Sequence, residues 1–174
     1  MQLNQAISLI SHPAINKTVK SAWADLGCGD GLFSYALANI LQPGSTIHAV
    51  DKNKLKLSPQ TIPEQTKINS LQLDFINDDL PFSDLDGILM ANSFHYVKDK
   101  SEFIRKLEKH LKSSPQFLIV EYDTENANQW VPYPIGFKSL EKLFINAGYS
   151  SIIKINEMPS VFRREMMYGA LIDL

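Results

Sequence analysis

Three glycines at alternate positions, in the run Asp25-Leu26-Gly27-Cys28-Gly29-Asp30-Gly31, constrain this chain more than any other feature. They follow directly on an apolar stretch and lead into a helical pattern that begins near Leu32. Without Cβ atoms, Gly27, Gly29 and Gly31 can take positive φ and bring the backbone close to a bound nucleotide, while the helix that follows offers unpaired N–H groups. A strand, a glycine loop and a helix in that order form the mouth of an α/β nucleoside site.

The spacing narrows the cofactor. A dinucleotide site has its third glycine three residues after the second, so that the pyrophosphate rests on the helix N-terminus. Here the third glycine comes two residues after the second, and an acid, Asp25, precedes the first. A buried aspartate repels a pyrophosphate and attracts an ammonium or a sulfonium. The run resembles the first motif of the class I S-adenosylmethionine-dependent methyltransferases, whose cofactor is cationic and carries no phosphate. The resemblance places Asp25, Gly27, Cys28, Gly29 and Gly31 against that cofactor.

A second acid sits at a matching distance. Ser45 to Val50 reads as a strand ending at Asp51, about twenty residues after Gly31, where Rossmann-like sites hold the ribose. Asp51 is the expected ribose ligand, with Lys52 beside it. Asp74 ends the alternating stretch from Ile68 and is followed by Phe75. The resemblance implies that this pair holds the adenine amino group and stacks on the ring.

Strand and helix patterns alternate along the whole chain, which predicts an α/β fold with a mostly parallel sheet. After a short N-terminal helix carrying Leu3, Ala6, Ile7 and Ile10, strands are expected near Ser21–Leu26, Ser45–Asp51, Ile68–Asp74, Leu85–Ala91, Gln116–Val120, Ser151–Ile155 and Tyr168–Ile172. Helices are expected from Leu32 to Leu41, along the face Phe103, Ile104, Leu107 and Leu111, and after a Ser139 cap up to Gly148. The Glu102–Lys106 and Glu108–Lys112 pairs read as solvated support of the middle helix. Pro59 and Pro63 predict a short or irregular second crossover. The resemblance therefore implies a Rossmann-like, seven-stranded sheet with helices on both faces, and residues 1–174 read as one methyltransferase domain.

Ligands of such sheets bind beyond the carboxyl ends of the strands. The run Ala91-Asn92-Ser93-Phe94-His95-Tyr96-Val97 lies at one such end, where the family lines the passage between cofactor and acceptor. Asn92 reads either as a contact to the methionine part of the cofactor or as an Asx turn. Tyr96, Trp130, Tyr133 and Phe137 read either as walls of an acceptor pocket or as a satellite cluster under a loop. Methyl transfer from a sulfonium is an in-line displacement in which alignment and exclusion of water dominate. A base helps when the acceptor is a hydroxyl, a phenol or a protonated amine, and His95 is placed for that role, with a purely structural role as the alternative. His12, His48 and His110 fall in a terminus, a strand and an exposed helix end, and no metal cluster is expected.

At 174 residues and 44% apolar, the chain suits one domain with a real core. A formal charge of −2 provides no field for a polyanion, so neither nucleic acid nor an anionic membrane is expected as partner. The Asn92-Ser93-Phe94-His95 run lacks the Pro-Pro of base amino-methylating relatives, and the single cysteine, Cys28, is not placed to attack a cytosine. Lys154, Arg163 and Arg164 read as solvated charges. One cysteine and no apolar run of spanning length predict a reducing, cytoplasmic setting. A small-molecule acceptor methylated on oxygen or nitrogen is expected, with S-adenosylhomocysteine as product. The alternatives are a non-catalytic S-adenosylmethionine-binding protein and, opposed by the acid and the glycine spacing, a nicotinamide-dependent oxidoreductase.

Overall fold

The computed structural model describes residues 1–15, 18–54, 61–160 and 165–174. Its sheet contains β1 (Ala22–Leu26), β2 (Thr46–Asp51), β3 (Lys67–Gln72), β4 (Leu85–Ala91), β5 (Leu111–Tyr122), β6 (Ser151–Pro159) and β7 (Met166–Asp173). The spatial order is β3-β2-β1-β4-β5-β7-β6. All pairings from β3 through β5 are parallel, and β7 runs antiparallel to both β5 and β6. The strand order reverses between β1 and β4, the place where an α/β sheet opens a crevice for a ligand.

Four helices are seen among the described residues: α1 (Leu3–Ile10), α2 (Leu32–Ala38), α3 (Lys100–Glu108) and α4 (Phe137–Asn146), with a 3₁₀ turn at Phe94–Tyr96. α1 and α2 cover one face of the sheet, where Leu9, Ile10 and Leu37 meet Trp23, Ile47, Leu118 and Leu171. α3 and α4 cover the other, where Phe103, Leu107, Leu140 and Phe144 meet Leu26, Ile88, Met90 and Phe117. Successive residues of β1 divide between the layers, Trp23 to the first and Ala24 to the second, as the period-2 alternation of a strand requires. Burying each large apolar side chain of this kind contributes about 1.5–3 kcal/mol.

Several local expectations are corrected. Leu111 opens β5 and is not the last apolar residue of a helix, because α3 ends at Glu108. The same early stop buries His110, whose Nδ1 lies 2.8 Å from the Phe82 carbonyl, where an exposed helix end was expected. Lys106 reaches across to the carbonyls of Ile76 and Asp78, and Lys112 pairs with Asp86, so neither serves a helical i,i+4 pair. α4 starts two residues before Ser139. Its first amides are bound by distant carboxylates, Gly136 N–H donating to Glu125 Oε1 and Phe137 N–H to Asp123 Oδ1, which replaces a side-chain cap. Gly148, at φ +97°, ends α4 as expected. β3 stops at Gln72, short of Asp74. Pro59, Arg163 and Arg164 lie outside the described residues. Residues 52–54 and 61–66, the described parts of the second crossover, contain no helix.

Candidate active site

The loop after β1 is tied to β2. The amides of Gly27 and Cys28 both donate to the Val50 carbonyl, at 2.8 and 3.0 Å, and Gly29 N–H donates to Asp51 Oδ2 at 3.0 Å. All three loop glycines take positive φ, +82°, +56° and +87°. They differ in what surrounds them. A Cβ on Gly27 would collide with the Ser93 side chain, whereas one on Gly29 would meet no protein atom within 4 Å. A side chain at Gly29 therefore meets no obstacle from the chain. Its surroundings are open, and a side chain there costs left-handed backbone strain and the space in front of the loop.

Beyond the loop is a cavity of about 330 Å³ lined by Gly27, Asp51, Lys52, Asn53, Asp74, Phe75, Ile76, Asn92, Ser93 and Tyr96. The structure thus gathers the expected Gly27, Asp51, Lys52, Asp74, Phe75, Asn92 and Tyr96 from four separate strand ends. Asp51 Oδ1 accepts from the main chain and side chain of Asn53 at 2.8 and 3.2 Å. Asp74 caps its own turn, accepting from the Ile76 and Asn77 amides and from Asn77 Nδ2 at 2.9 Å. Burial pushes the Asp74 carboxyl upward. The bonds from Asn77 and Ile76 and the Lys52 charge outweigh it and hold the group below the usual carboxylate range. Asn92 adopts φ +53°, and its Oδ1 is buried with no partner.

Asp25 lies under the loop, fully buried, and does not line the cavity. Its Oδ2 accepts from Ser34 Oγ on α2 at 2.5 Å, and its Oδ1 has no partner. Burial raises its carboxyl to about 7 against the pull of the Ser34 bond, with the Asp51 charge adding to the rise. Burial and the charges of Asp25 and Asp51 push the Cys28 thiol far above its ordinary value, which makes it an inert part of the loop.

His95 and Glu121 form a buried pair behind Tyr96. They are 3% and 1% exposed, with Nδ1 and Oε2 2.8 Å apart. Glu121 Oε1 also accepts the His95 main-chain N–H at 3.0 Å. The imidazole lies against the Tyr96 ring, centroids 4.4 Å apart, and Tyr96 in turn forms the cavity wall. Burial, followed by the charge of Glu121, raises the Tyr96 phenol above its ordinary value. Tyr133 is tied to this turn, its N–H donating to the His95 carbonyl at 3.0 Å and its own carbonyl accepting from Lys100 Nζ at 2.7 Å. Trp130, 67% exposed, stands at the tip of the Asn128–Val131 turn and does not line the 330 Å³ cavity. Phe137 faces elsewhere, stacked edge-on against Tyr168 beneath Lys154. Lys154 is held by Asp123 and Glu157.

Asn53 and Ile76 were not singled out in the sequence. Glu121 had a signal: like Asp25, Asp51 and Asp74, it is an acid that closes an apolar strand pattern. The carboxylates of Asp51 and Asp74, together with the buried Asn92 Oδ1 that lacks a donor, fit a cationic ligand that also carries hydroxyl and amino hydrogens. They do not suit a pyrophosphate. No group of three or more histidine, cysteine or acidic residues arranged to hold a metal occurs among the described residues, and no described helix is long and apolar enough to cross a membrane.

Comparison with known proteins agrees with this architecture. Solved structures with the same fold include a 1,6-didemethyltoxoflavin N1-methyltransferase of Burkholderia thailandensis bound to S-adenosylhomocysteine (TM-score 0.69, 14% identity, 98% of this chain and 77% of that one). A second is an S-adenosylmethionine-dependent methyltransferase of Mesorhizobium loti (0.63, 15%, 92% and 94%). A third is the phospholethanolamine N-methyltransferase 2 of Haemonchus contortus (0.70, 12%, 98% and 52%). At such identities the likeness is one of fold. No curated protein matches the chain in sequence. A family model described as "Methyltransferase domain" matches residues 24–114, more than half of the chain, and on that match the protein belongs to the class I S-adenosylmethionine-dependent methyltransferases.

Proposed function

We propose that residues 1–174 act as one domain that transfers the methyl group of S-adenosylmethionine to an oxygen or nitrogen of a small-molecule acceptor. The observation that carries this reading is the cavity between Gly27 and Tyr96, whose wall holds the carboxylates of Asp51 and Asp74 and whose buried Asn92 Oδ1 has no donor. When bound, S-adenosylmethionine supplies an electrophilic methyl group on a sulfonium. Asp51 holds the ribose hydroxyls, Asp74 and Phe75 hold the adenine, and Asn92 binds at the methionine end. Asp51 and Asp74 supply the negative field that favours a cation. Tyr96 lines this cavity and its ring touches that of His95. Tyr133 and Trp130, on the segment hydrogen-bonded to His95, frame the acceptor's approach, and His95 takes its proton.

Calorimetric titration with S-adenosylhomocysteine and with NAD tests the cofactor. Binding of the first alone is expected, and binding of NAD alone would overturn the reading. A screen of phenols, catechols and amines with labelled methyl donor tests the acceptor class, and label appearing in none of these products would argue for a binding protein without catalysis.

A further inference from the structure

We propose that Lys106 is a positioning residue for the cofactor site: from α3 it locks the turn 74–78, which holds the Asp74 carboxylate in place at the cavity and makes the site take an aminopurine over an oxopurine. This rests on the reading above that Asp74 and Phe75 hold the adenine.

The turn is wound around Asp74. Its carbonyl accepts the amides of Asn77 and Asp78 at 3.1 and 2.8 Å. Its Oδ1 accepts the amides of Ile76 and Asn77 at 3.1 and 3.4 Å, and its own N–H donates to Asp78 Oδ2 at 3.2 Å. These bonds use the N–H groups of the turn, so the carbonyls need a donor from elsewhere. Lys106 supplies it, Nζ donating to the Ile76 carbonyl at 3.2 Å and to the Asp78 carbonyl at 2.6 Å. The Ile76 carbonyl and the Asn77 N–H belong to one planar peptide unit. An ammonium on its oxygen and Asp74 on its hydrogen therefore hold that plane from both ends, and each bond polarises the other. One turn earlier on α3, Phe103 meets Phe75 edge-on, centroids 5.9 Å apart. α3 thus grips the turn by its ring and by its carbonyls, while Asp74, Phe75 and Ile76 line the cavity.

A neighbouring lysine gives the contrast. Lys109 forms an exposed ion pair with Asp79 and is not among the residues that line the cavity. Lys106 is half-buried, and both of its bonds go to main-chain oxygens. A carboxylate on a loose turn could swing to water. Held by the Ile76 and Asn77 amides and, through them, by Lys106, Asp74 offers its remaining lone pairs from a fixed position, and an ionised carboxylate can only accept. A purine amino group satisfies it, whereas the carbonyl oxygen of an oxopurine is repelled and left unpaired.

Calorimetry with S-adenosylhomocysteine, and its displacement by S-inosylhomocysteine, read both affinity and selection. The parent is expected to favour the amino ligand about tenfold or more. Lys106→Met keeps the stem and removes the ammonium. It is expected to weaken S-adenosylhomocysteine about tenfold and S-inosylhomocysteine less than about threefold, with Lys106→Arg restoring most of the loss. Lys109→Met removes a like charge from the end of the same helix and is expected to change neither. Hydrogen exchange of the Ile76 and Asn77 amides, measured without ligand, is expected to quicken about tenfold in Lys106→Met alone. Parental affinity in Lys106→Met overturns the proposal. So does an equal loss for both ligands, or the same loss in Lys109→Met, since either would make Lys106 a general charge or a support of the fold. Equal affinity of the parent for the two ligands overturns the selection. If the parent binds neither ligand, the functional reading fails instead, while the exchange rates still decide whether Lys106 holds the turn.

Discussion

Asp51 spends both oxygens on its own chain, on Gly29 N–H and on Asn53, and so holds the glycine loop to the end of β2 while retaining lone pairs toward the cavity. Removing it leaves ligand hydroxyls without a charge-assisted acceptor, at about 1.5–3 kcal/mol. Asp51→Ala is expected to weaken S-adenosylhomocysteine binding about 10–150-fold in calorimetry, with the fold retained. Parental affinity would move the ribose elsewhere. Asp25 poses the opposite problem, an acid whose burial raises it from 3.8 to about 7. Between those values the folded chain keeps a proton that the unfolded chain releases, so stability falls as pH rises and the loss is complete above about 7. At 1.36 kcal/mol per unit the cost is roughly 4 kcal/mol. Urea denaturation of Asp25→Asn is expected to show a flatter stability profile from pH 4 to 7 and a variant more stable than the parent at pH 8. A parallel pair of profiles would mean that Asp25 is ionised and paid for by a neighbour. Both aspartates were legible in the sequence because each sits at the end of an apolar run at a fixed distance from the glycines. The contacts of Ser93 and Glu121 were not, since each is made with a neighbour from another strand end: the Gly27 backbone in one case and the His95 ring in the other.

The helices owe their ends to specific hydrogen bonds, and these decide how well sequence could place them. Asp99 caps α3, its Oδ1 accepting the Glu102 N–H at 2.9 Å, and the acid, the spacing and the apolar face beyond it are all local. Asp99→Ala is expected to cost about 1 kcal/mol in thermal or urea unfolding. No change would show that Glu102 N–H finds water at no penalty. α4 is the contrasting case. Ser139 is the residue a local rule selects, yet Asp123 and Glu125 bind the first amides from 14 and 11 residues upstream, so the helix begins at Phe137. The start of β5 at Leu111 was hidden for a similar reason. Leu111 continues the apolar spacing of α3 by chance, and its pairing with Leu85 on β4 is a long-range fact. Strand identity was readable from period and alternation; strand ends, set by partners across the sheet, were not.

At the scale of the molecule, the two halves of the sheet carry different duties. The candidate site stands beyond the ends of β1, β2, β3 and β4, whereas α1 lies flat on the other half of the sheet over β5, β7 and β6. What permits that docking is Gly169 on β7: a Cβ there would run into the Leu9 carbonyl of α1. Leu9 and Ile10 are fully buried at this contact with Leu118, Met167 and Leu171. Because backbone, not a flexible side-chain tip, stands in the way, Gly169→Ala must shift the whole helix, at the upper end of overpacking costs, about 3 kcal/mol or more. For a chain of this size that lowers the melting temperature by roughly 6–12 °C. The separation of duties gives the second half of the prediction: below its melting point the variant should bind S-adenosylhomocysteine as tightly as the parent, since none of the cavity residues belongs to α1 or β7. Calorimetry and thermal unfolding on the same preparation decide it. A variant that keeps its stability would show that α1 can ride up without loss. A variant that loses affinity in proportion to stability would show that the N-terminal helix, 8 residues long, controls the site through the sheet.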